Sequence, residues 1–293
     1  MIAPADYHSH LNRLHSRCID YPAVVSIETF AFCNAACDFC PYPKLTRKGA
    51  KMPDALIDKL IADLEEIPSS HPFEINLSRV NEPFLDARIY DIAARMTERL
   101  PGARLVFFSN GTPLNTGNIE KLARLRRIAR LNISVNEFEA DAYEKSMQLP
   151  LEPTLDVLRN LHQGVADRRL SFPVVLSRVG DGSTKDLRFV SWVKTNFPAF
   201  SAAVSPRSDW MGLVPQPGAL IPDLGCTQWY KLHILADGRD AYCCIDAEGQ
   251  WSTANAQQTS LLDIYNQPAR RRLRLDRSSR QHMPICGQCP LLS

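Results

Sequence analysis

Short runs rich in β-branched and aromatic residues alternate with longer stretches of helical periodicity from residue 24 to about 205. The runs Val24–Thr29, Phe73–Leu77, Arg104–Ser109, Leu131–Val135, Pro173–Ser177 and Ala202–Ser205 read as strands. Between them Asp54–Glu66, Ala87–Leu100, Asn118–Ala129, Thr154–Ala166 and Thr184–Asn196 carry apolar residues at helical spacing. The first of these follows Pro53, a common helix start. Thr154 reads as an N-cap, with Leu155, Leu158 and Leu161 on one face. Strands alternating with helices predict consecutive βα units on a parallel sheet, an arrangement that presents functional groups at the carboxyl ends of its strands.

The pattern changes after residue 206. The stretch from Pro206 to Gly218 is loop-like and reads as a linker. Beyond it, Leu232 to Cys244 predicts a β-hairpin turning at Asp237-Gly238, followed by a helix over Leu261–Leu275. The expected division is an N-terminal extension 1–23, an α/β unit 24–206, a linker 207–225 and a small α+β unit 226–293.

With 293 residues, 45% of them hydrophobic, the chain is long enough for a large core, and its formal charge of +2 gives no general case for nucleic acid. No signal-peptide pattern opens it and no apolar run is long enough to span a bilayer, so a cytoplasmic protein without membrane partners is expected. Nine cysteines then need a reason other than a disulfide framework. Their grouping supplies one.

Cys33, Cys37 and Cys40 sit directly after the first strand, in Phe30-Ala-Phe-Cys-Asn-Ala-Ala-Cys-Asp-Phe-Cys-Pro41. On a loop, that C-x3-C-x2-C spacing brings three thiolates close enough to hold three irons of one cubane and leaves the fourth iron open to a small molecule. Half of a zinc site is the alternative, although structural zinc sites usually show paired C-x2-C knuckles. Cys226, Cys243, Cys286 and Cys289 form a second group, with Gly238 at the hairpin tip and a C-x2-C knuckle at the end. Four thiolates suit a second cluster, and they also suit a zinc ribbon.

The first motif, with Phe39 before its last cysteine, resembles the signature of the radical SAM superfamily. The resemblance implies a partial (β/α)6 TIM-like barrel. It also implies a [4Fe–4S] cluster that binds S-adenosylmethionine and cleaves it reductively to a 5′-deoxyadenosyl radical. Later strand ends carry further matches. Asn81-Glu82-Pro83 resembles the family's Gly-Glu-Pro motif at the methionine amino group, with Asn81 in place of glycine. Ser109-Asn110-Gly111 resembles the segment near the ribose, Ser134 and Asn136 could reach the nucleoside or carboxylate, and Arg178 offers a guanidinium to a carboxylate. The second cysteine group resembles the shortened SPASM appendage called the twitch domain, which implies an auxiliary [4Fe–4S] cluster and two clusters in all.

The layout is similar to the butirosin aminocyclitol dehydrogenase and neomycin epimerase group. It implies hydrogen abstraction from a small polar, sugar- or aminocyclitol-like substrate, with a two-electron oxidation assisted by the auxiliary cluster and a flavodoxin- or ferredoxin-type electron donor. Two rival readings stay open: redox-neutral epimerisation with Cys244 as hydrogen-atom donor, and modification of a ribosomal peptide. Against the latter, about 23 residues precede the first strand, little for a leader-binding domain. The remaining features read more plainly. Cys18 is incidental, and the run Arg270, Arg271, Arg272, Arg274, Arg277 and Arg280 is a solvated helix face. The seven histidines, apart from the N-terminal His8/His10, lack ligand spacing, and none receives a role.

Overall fold

A computed structural model of the chain describes residues 4–214, 221–277 and 279–289. All six expected strands are present: β1 (Val24–Ile27), β2 (Phe73–Asn76), β3 (Ala103–Ser109), β4 (Ile128–Ser134), β5 (Val174–Gly180) and β6 (Ser201–Pro206). Each pairs in parallel with the next. The connecting helices are α2 (Asp54–Leu64), α3 (Ile89–Arg99), α4 (Thr116–Arg124), α5 (Ala140–Met147), α6 (Leu151–Ala166) and α7 (Thr184–Asn196). They cover one face of the sheet, the TIM-like partial barrel the sequence implied.

Period-two alternation decides which face each residue serves. Val25, Ile27, Phe73, Ile75, Leu105, Phe107, Leu131 and Ile133 are buried in the core shared with the helices. Ser26, Glu74, Asn76, Arg104, Val106, Phe108 and Arg130 look the other way, into a chamber of about 650 Å³. A core of large aliphatic and aromatic side chains on one face thus leaves a polar wall on the other.

The C-terminal hairpin extends this same sheet. Strand β7 (Lys231–Ile234) pairs in parallel with β1, and β8 (Asp240–Ala241) pairs antiparallel to β7, so the order is β6-β5-β4-β3-β2-β1-β7-β8. Gly238 turns the hairpin at φ +86°. A Cβ there would stand 2.6 Å from Asn255 Oδ1, so the turn needs glycine for both its backbone and its neighbour.

Several expectations change. The N-terminal extension holds a helix, α1 (Pro4–Arg17), whose Leu14 packs with Cys18, Cys226, Trp229 and Tyr230. Cys18 is therefore a core residue. Thr154 lies inside α6 rather than capping it. Its hydroxyl pairs with Tyr143 OH at 2.9 Å, and the helix begins at Leu151 after Pro150. Helix α4 ends early because Arg127 turns the chain at φ 56° into β4. The single helix expected over Leu261–Leu275 is two, α8 (Leu261–Tyr265) and α9 (Pro268–Asp276), since Pro268 starts a helix well and cannot continue one. Arg270, Arg274 and Arg280 are buried rather than solvated. Arg280 donates to Gly225 O and Tyr7 OH, and Arg274 to Ile19 O and Tyr265 O, so these guanidiniums satisfy backbone carbonyls where three chain segments meet. Residues 215–220 of the expected linker lie outside the described residues.

Candidate active site

The loop after β1 doubles back on itself. Ala31 N donates to Ala50 O, and Gly49 N to Ala31 O, each at 2.8 Å. Cys33, Cys37 and Cys40 ride on this loop, all three half-buried. A 3.1 Å bond from Cys40 N to Cys37 O closes the turn between the last two, and Ala35 N donates to Cys33 Sγ. The thiols stand close enough to perturb one another. Burial pushes Cys33 up to about 12, with the Cys40 charge adding to it, and burial pushes Cys40 up to about 11. Without a cation the trio keeps its protons, so binding iron releases them.

Beside this loop lies the segment after β2. Glu82 N donates to Phe32 O at 2.8 Å, which fixes Asn81-Glu82-Pro83 against the first cysteine. The Glu82 carboxylate is 1% exposed and already occupied. It accepts from Ser109 Oγ at 2.9 Å, Asn110 N at 2.7 Å and Phe84 N at 3.2 Å. Desolvation still outweighs those bonds and pushes it up to about 7. In this arrangement the carboxylate ties the end of β3 to the segment after β2. Asn110 Nδ2 reaches Asn34 Oδ1, next to Cys33, and Asn81 Oδ1 accepts from Arg79 N. Gly111 turns at φ +86°. The residues expected near S-adenosylmethionine therefore form one connected rim around the cysteine loop.

Strands β4 and β5 add Ser134, half-buried, and Asn136, buried at φ 65° with its amide oxygen accepting from Val179 N. Arg178 is a correction. It is buried, and its fork is bonded to Asp186, Glu137, Asp181 and Asn136 O. With three carboxylates around it and four of its five N–H donors engaged, Arg178 braces the β4–β5 loops rather than offering a free guanidinium.

The second cysteine group converges elsewhere. Cys226, Cys243, Cys286 and Cys289 line one cavity with Met211, Trp229, Tyr242, Ile245 and Arg280. The Tyr242 hydroxyl lies 3.9 Å from Cys286 Sγ. Among the described residues, no three His, Cys, Asp or Glu side chains stand at the spacing of a single bound ion. Thiols around an apolar space, with one cation among the lining, fit an iron–sulfur cluster, which binds thiolates and carries negative charge. Cys244, in the turn that follows β8, lines the barrel chamber instead of this cavity.

The two cysteine sites are braced together by arginines that sequence reasoning missed. Arg79 Nη2 donates to Cys243 O at 3.3 Å and Asp246 O at 3.1 Å. Arg47 forks onto the buried Glu28 and also donates to Ala247 O at 2.7 Å. Trp210 Nε1 donates to Phe39 O, while its neighbour Met211 lines the second cavity. No sequence spacing announces the bonds that join the two sites, because their partners lie well over a hundred residues apart.

Compared with protein families, residues 27–189 match the radical SAM superfamily and residues 226–290 match the SPASM iron–sulfur cluster-binding domain. The chain belongs to the radical SAM superfamily. Its cofactors are accordingly [4Fe–4S] clusters and S-adenosylmethionine. Several solved structures share the fold. BtrN in complex with AdoMet and 2-DOIA is 16% identical over 92% of this chain and 94% of its own, with a TM-score of 0.67. SuiB of Streptococcus suis bound to precursor peptide SuiA is 13% identical over 98% of this chain and 73% of its own, with a TM-score of 0.70. The anSMEcpe structure with bound AdoMet is 9% identical over 87% of this chain and 82% of its own, with a TM-score of 0.63. At these identities the likeness is one of fold. A comparison with curated proteins finds no match. Among the described residues, no helix of this radical SAM enzyme is long and apolar enough to cross a membrane.

Proposed function

We propose that this radical SAM enzyme removes a hydrogen atom from a carbon of a small polar substrate held in the barrel chamber and completes a two-electron oxidation with the help of an auxiliary cluster. In this reading Cys33, Cys37 and Cys40 hold the cluster that binds S-adenosylmethionine, and the rim of Asn81, Glu82, Pro83, Ser109, Asn110, Ser134 and Asn136 surrounds that ligand. Bound there, cluster and S-adenosylmethionine supply a 5′-deoxyadenosyl radical. The chain's own part is to hold the three thiolates on one loop, to brace the rim through buried Glu82, and to enclose the substrate between strands. Cys226, Cys243, Cys286 and Cys289 would hold the acceptor of the second electron, which passes it on to the oxidised form of a flavodoxin- or ferredoxin-type partner whose reduced form supplies the electron for S-adenosylmethionine cleavage.

One observation carries this reading. Cys243 lines the four-cysteine cavity while Cys244 lines the chamber. In this reading substrate space and auxiliary site meet at these two adjacent residues, a short path for an electron. The chamber's size, about 650 Å³, supports a small molecule over a long peptide.

The same observation favours one second reading, redox-neutral epimerisation. Burial pushes the Cys244 thiol up to about 11, so it keeps its hydrogen at neutral pH and faces the chamber with it. A product analysis in deuterated buffer separates the two. Oxidation predicts a product two electrons poorer than the substrate and free of solvent deuterium, with Cys244→Ala still active. A product of unchanged oxidation state carrying one deuterium, lost in Cys244→Ala, would establish the thiol as donor and end the oxidation reading.

A further inference from the structure

The inner wall of the barrel carries chemistry that the cysteines do not use. By register, His233, Ser26, Asn76, Val106 and Arg130 stand side by side across five strands, with Lys231, Val24, Glu74 and Arg104 in the row below. His233 is 2% exposed and, among the described residues, neither of its ring nitrogens has a hydrogen-bond partner. A buried imidazole in that state is destabilising unless something else supplies the bond. Its strand neighbours Leu232 and Ile234 pack into the core, which turns His233 and Lys231 into the chamber.

Charge gives the missing partner its sign. Lys231 lies half-buried in the chamber and makes no ion pair among the described residues. Arg104, at the lower rim, makes none either. The chamber's one carboxylate, Glu74, is already bound by the fork of Arg130 at 2.8 and 3.1 Å. Lys231, Arg104 and Arg130 against Glu74 leave an excess of positive charge. Burial, with the Arg79 and Lys231 charges nearby, keeps the His233 imidazole neutral, with one N–H to donate.

The geometry points to a substrate with an anionic oxygen group, a carboxylate or phosphate, seated between Lys231 and His233. The word substrate rests on the reading above, which this deepens. An oxyanion would accept from the lysine ammonium and from the imidazole N–H, giving the ring a partner and balancing the excess charge. A cationic aminocyclitol would instead meet like charges, which narrows the sugar-like class to a sugar acid or sugar phosphate.

Binding can be read without turnover. The anaerobically reconstituted holoenzyme is titrated calorimetrically with inorganic phosphate and glycolate, and with ethanolamine as the cationic probe. We expect an oxyanion to bind and ethanolamine not to. Lys231→Met and His233→Gln should each weaken binding about tenfold or more, while Lys231→Arg retains it and Lys185→Met, on the exposed face of α7, changes nothing. Whichever oxyanion binds more tightly distinguishes sugar acid from sugar phosphate. Failure of both oxyanions to bind wild type, equal binding by Lys231→Met, or binding of ethanolamine alone overturns the proposal. If Lys231→Met does not fold, the wild-type preference and the His233→Gln titration still decide. The oxidation reading is judged on the product's oxidation state, so either can fail while the other stands.

Discussion

Cys33, Cys37 and Cys40 share one loop, whereas Cys226, Cys243, Cys286 and Cys289 are drawn from three separate stretches of chain. The first set is placed by local bonds, Ala35 N to Cys33 Sγ and Cys40 N to Cys37 O. The second depends on a scaffold. Helix α1 packs against Cys226 through Leu14, Arg280 holds the carbonyls before it, and a buried Asp240–Arg270 pair locks β8 to α9. Sites of one loop are kinetically and energetically cheap to assemble, because little chain entropy separates their ligands. Convergent sites inherit the stability of everything that brings them together.

The sharpest test of that contrast is ligand deletion. Changing Cys33, Cys37 and Cys40 together to Ala should abolish S-adenosylmethionine cleavage and leave about four irons per chain, against about eight in the wild type. Iron assay and product chromatography after anaerobic reconstitution check it. A variant with no iron at all would mean that the second site is not a cluster.

Scaffold damage comes next. Asp240 is fully buried and accepts from Ser252 Oγ, Thr253 N and Ala254 N, each at 2.8 Å, besides pairing with Arg270. Asp240→Ala leaves a buried guanidinium unpaired and should lower stability by roughly 3–5 kcal/mol. Chemical denaturation measures it. Auxiliary iron should be lost while S-adenosylmethionine cleavage persists; loss of both activities in parallel would break the contrast.

A smaller, pH-linked effect concerns the first site. Glu82 folds with its pKa raised to about 7 from 4.5, so the folded state binds the extra proton and stability falls as pH rises between those values. Glu82→Gln, a neutral isostere, should flatten that part of the profile by an amount on the order of 2–3 kcal/mol, read from denaturation midpoints across the range. A profile unchanged by the substitution would mean the carboxylate is ionised when buried. The smallest effect belongs to Gly111, whose φ of +86° and 3.2 Å approach to Ile133 Cγ2 make Gly111→Ala destabilising by roughly 1 kcal/mol or slightly more. A thermal melt suffices.

Much of this was legible before folding. The six strands, the helix over Thr184–Asn196 and the hairpin at Gly238 follow from period and turn chemistry, since both are properties of neighbouring residues. The Cys33–Cys40 spacing and the four later cysteines carried the family. What misled was composition taken without context. The arginine run reads as a solvated face, yet Arg274 is fully buried because carbonyls at the ends of other elements need donors. Arg178 reads as a free guanidinium, but three carboxylates, two from loops and Asp186 from the first turn of α7, close around it in space.

The sequence alone determined which residues carry thiols, how far apart they lie and which face of each strand is apolar, because covalent order and side-chain period decide these. Only the tertiary structure decided that β7 lies against β1, and with it everything that this pairing brings together. It places His233 level with Ser26, sends Cys243 and Cys244 to opposite sides of one wall, and leaves Lys231 uncompensated in the chamber. The reason is that parallel pairing between strands some two hundred residues apart follows from the burial of Leu232 and Ile234 against the whole core, and no local pattern contains that information.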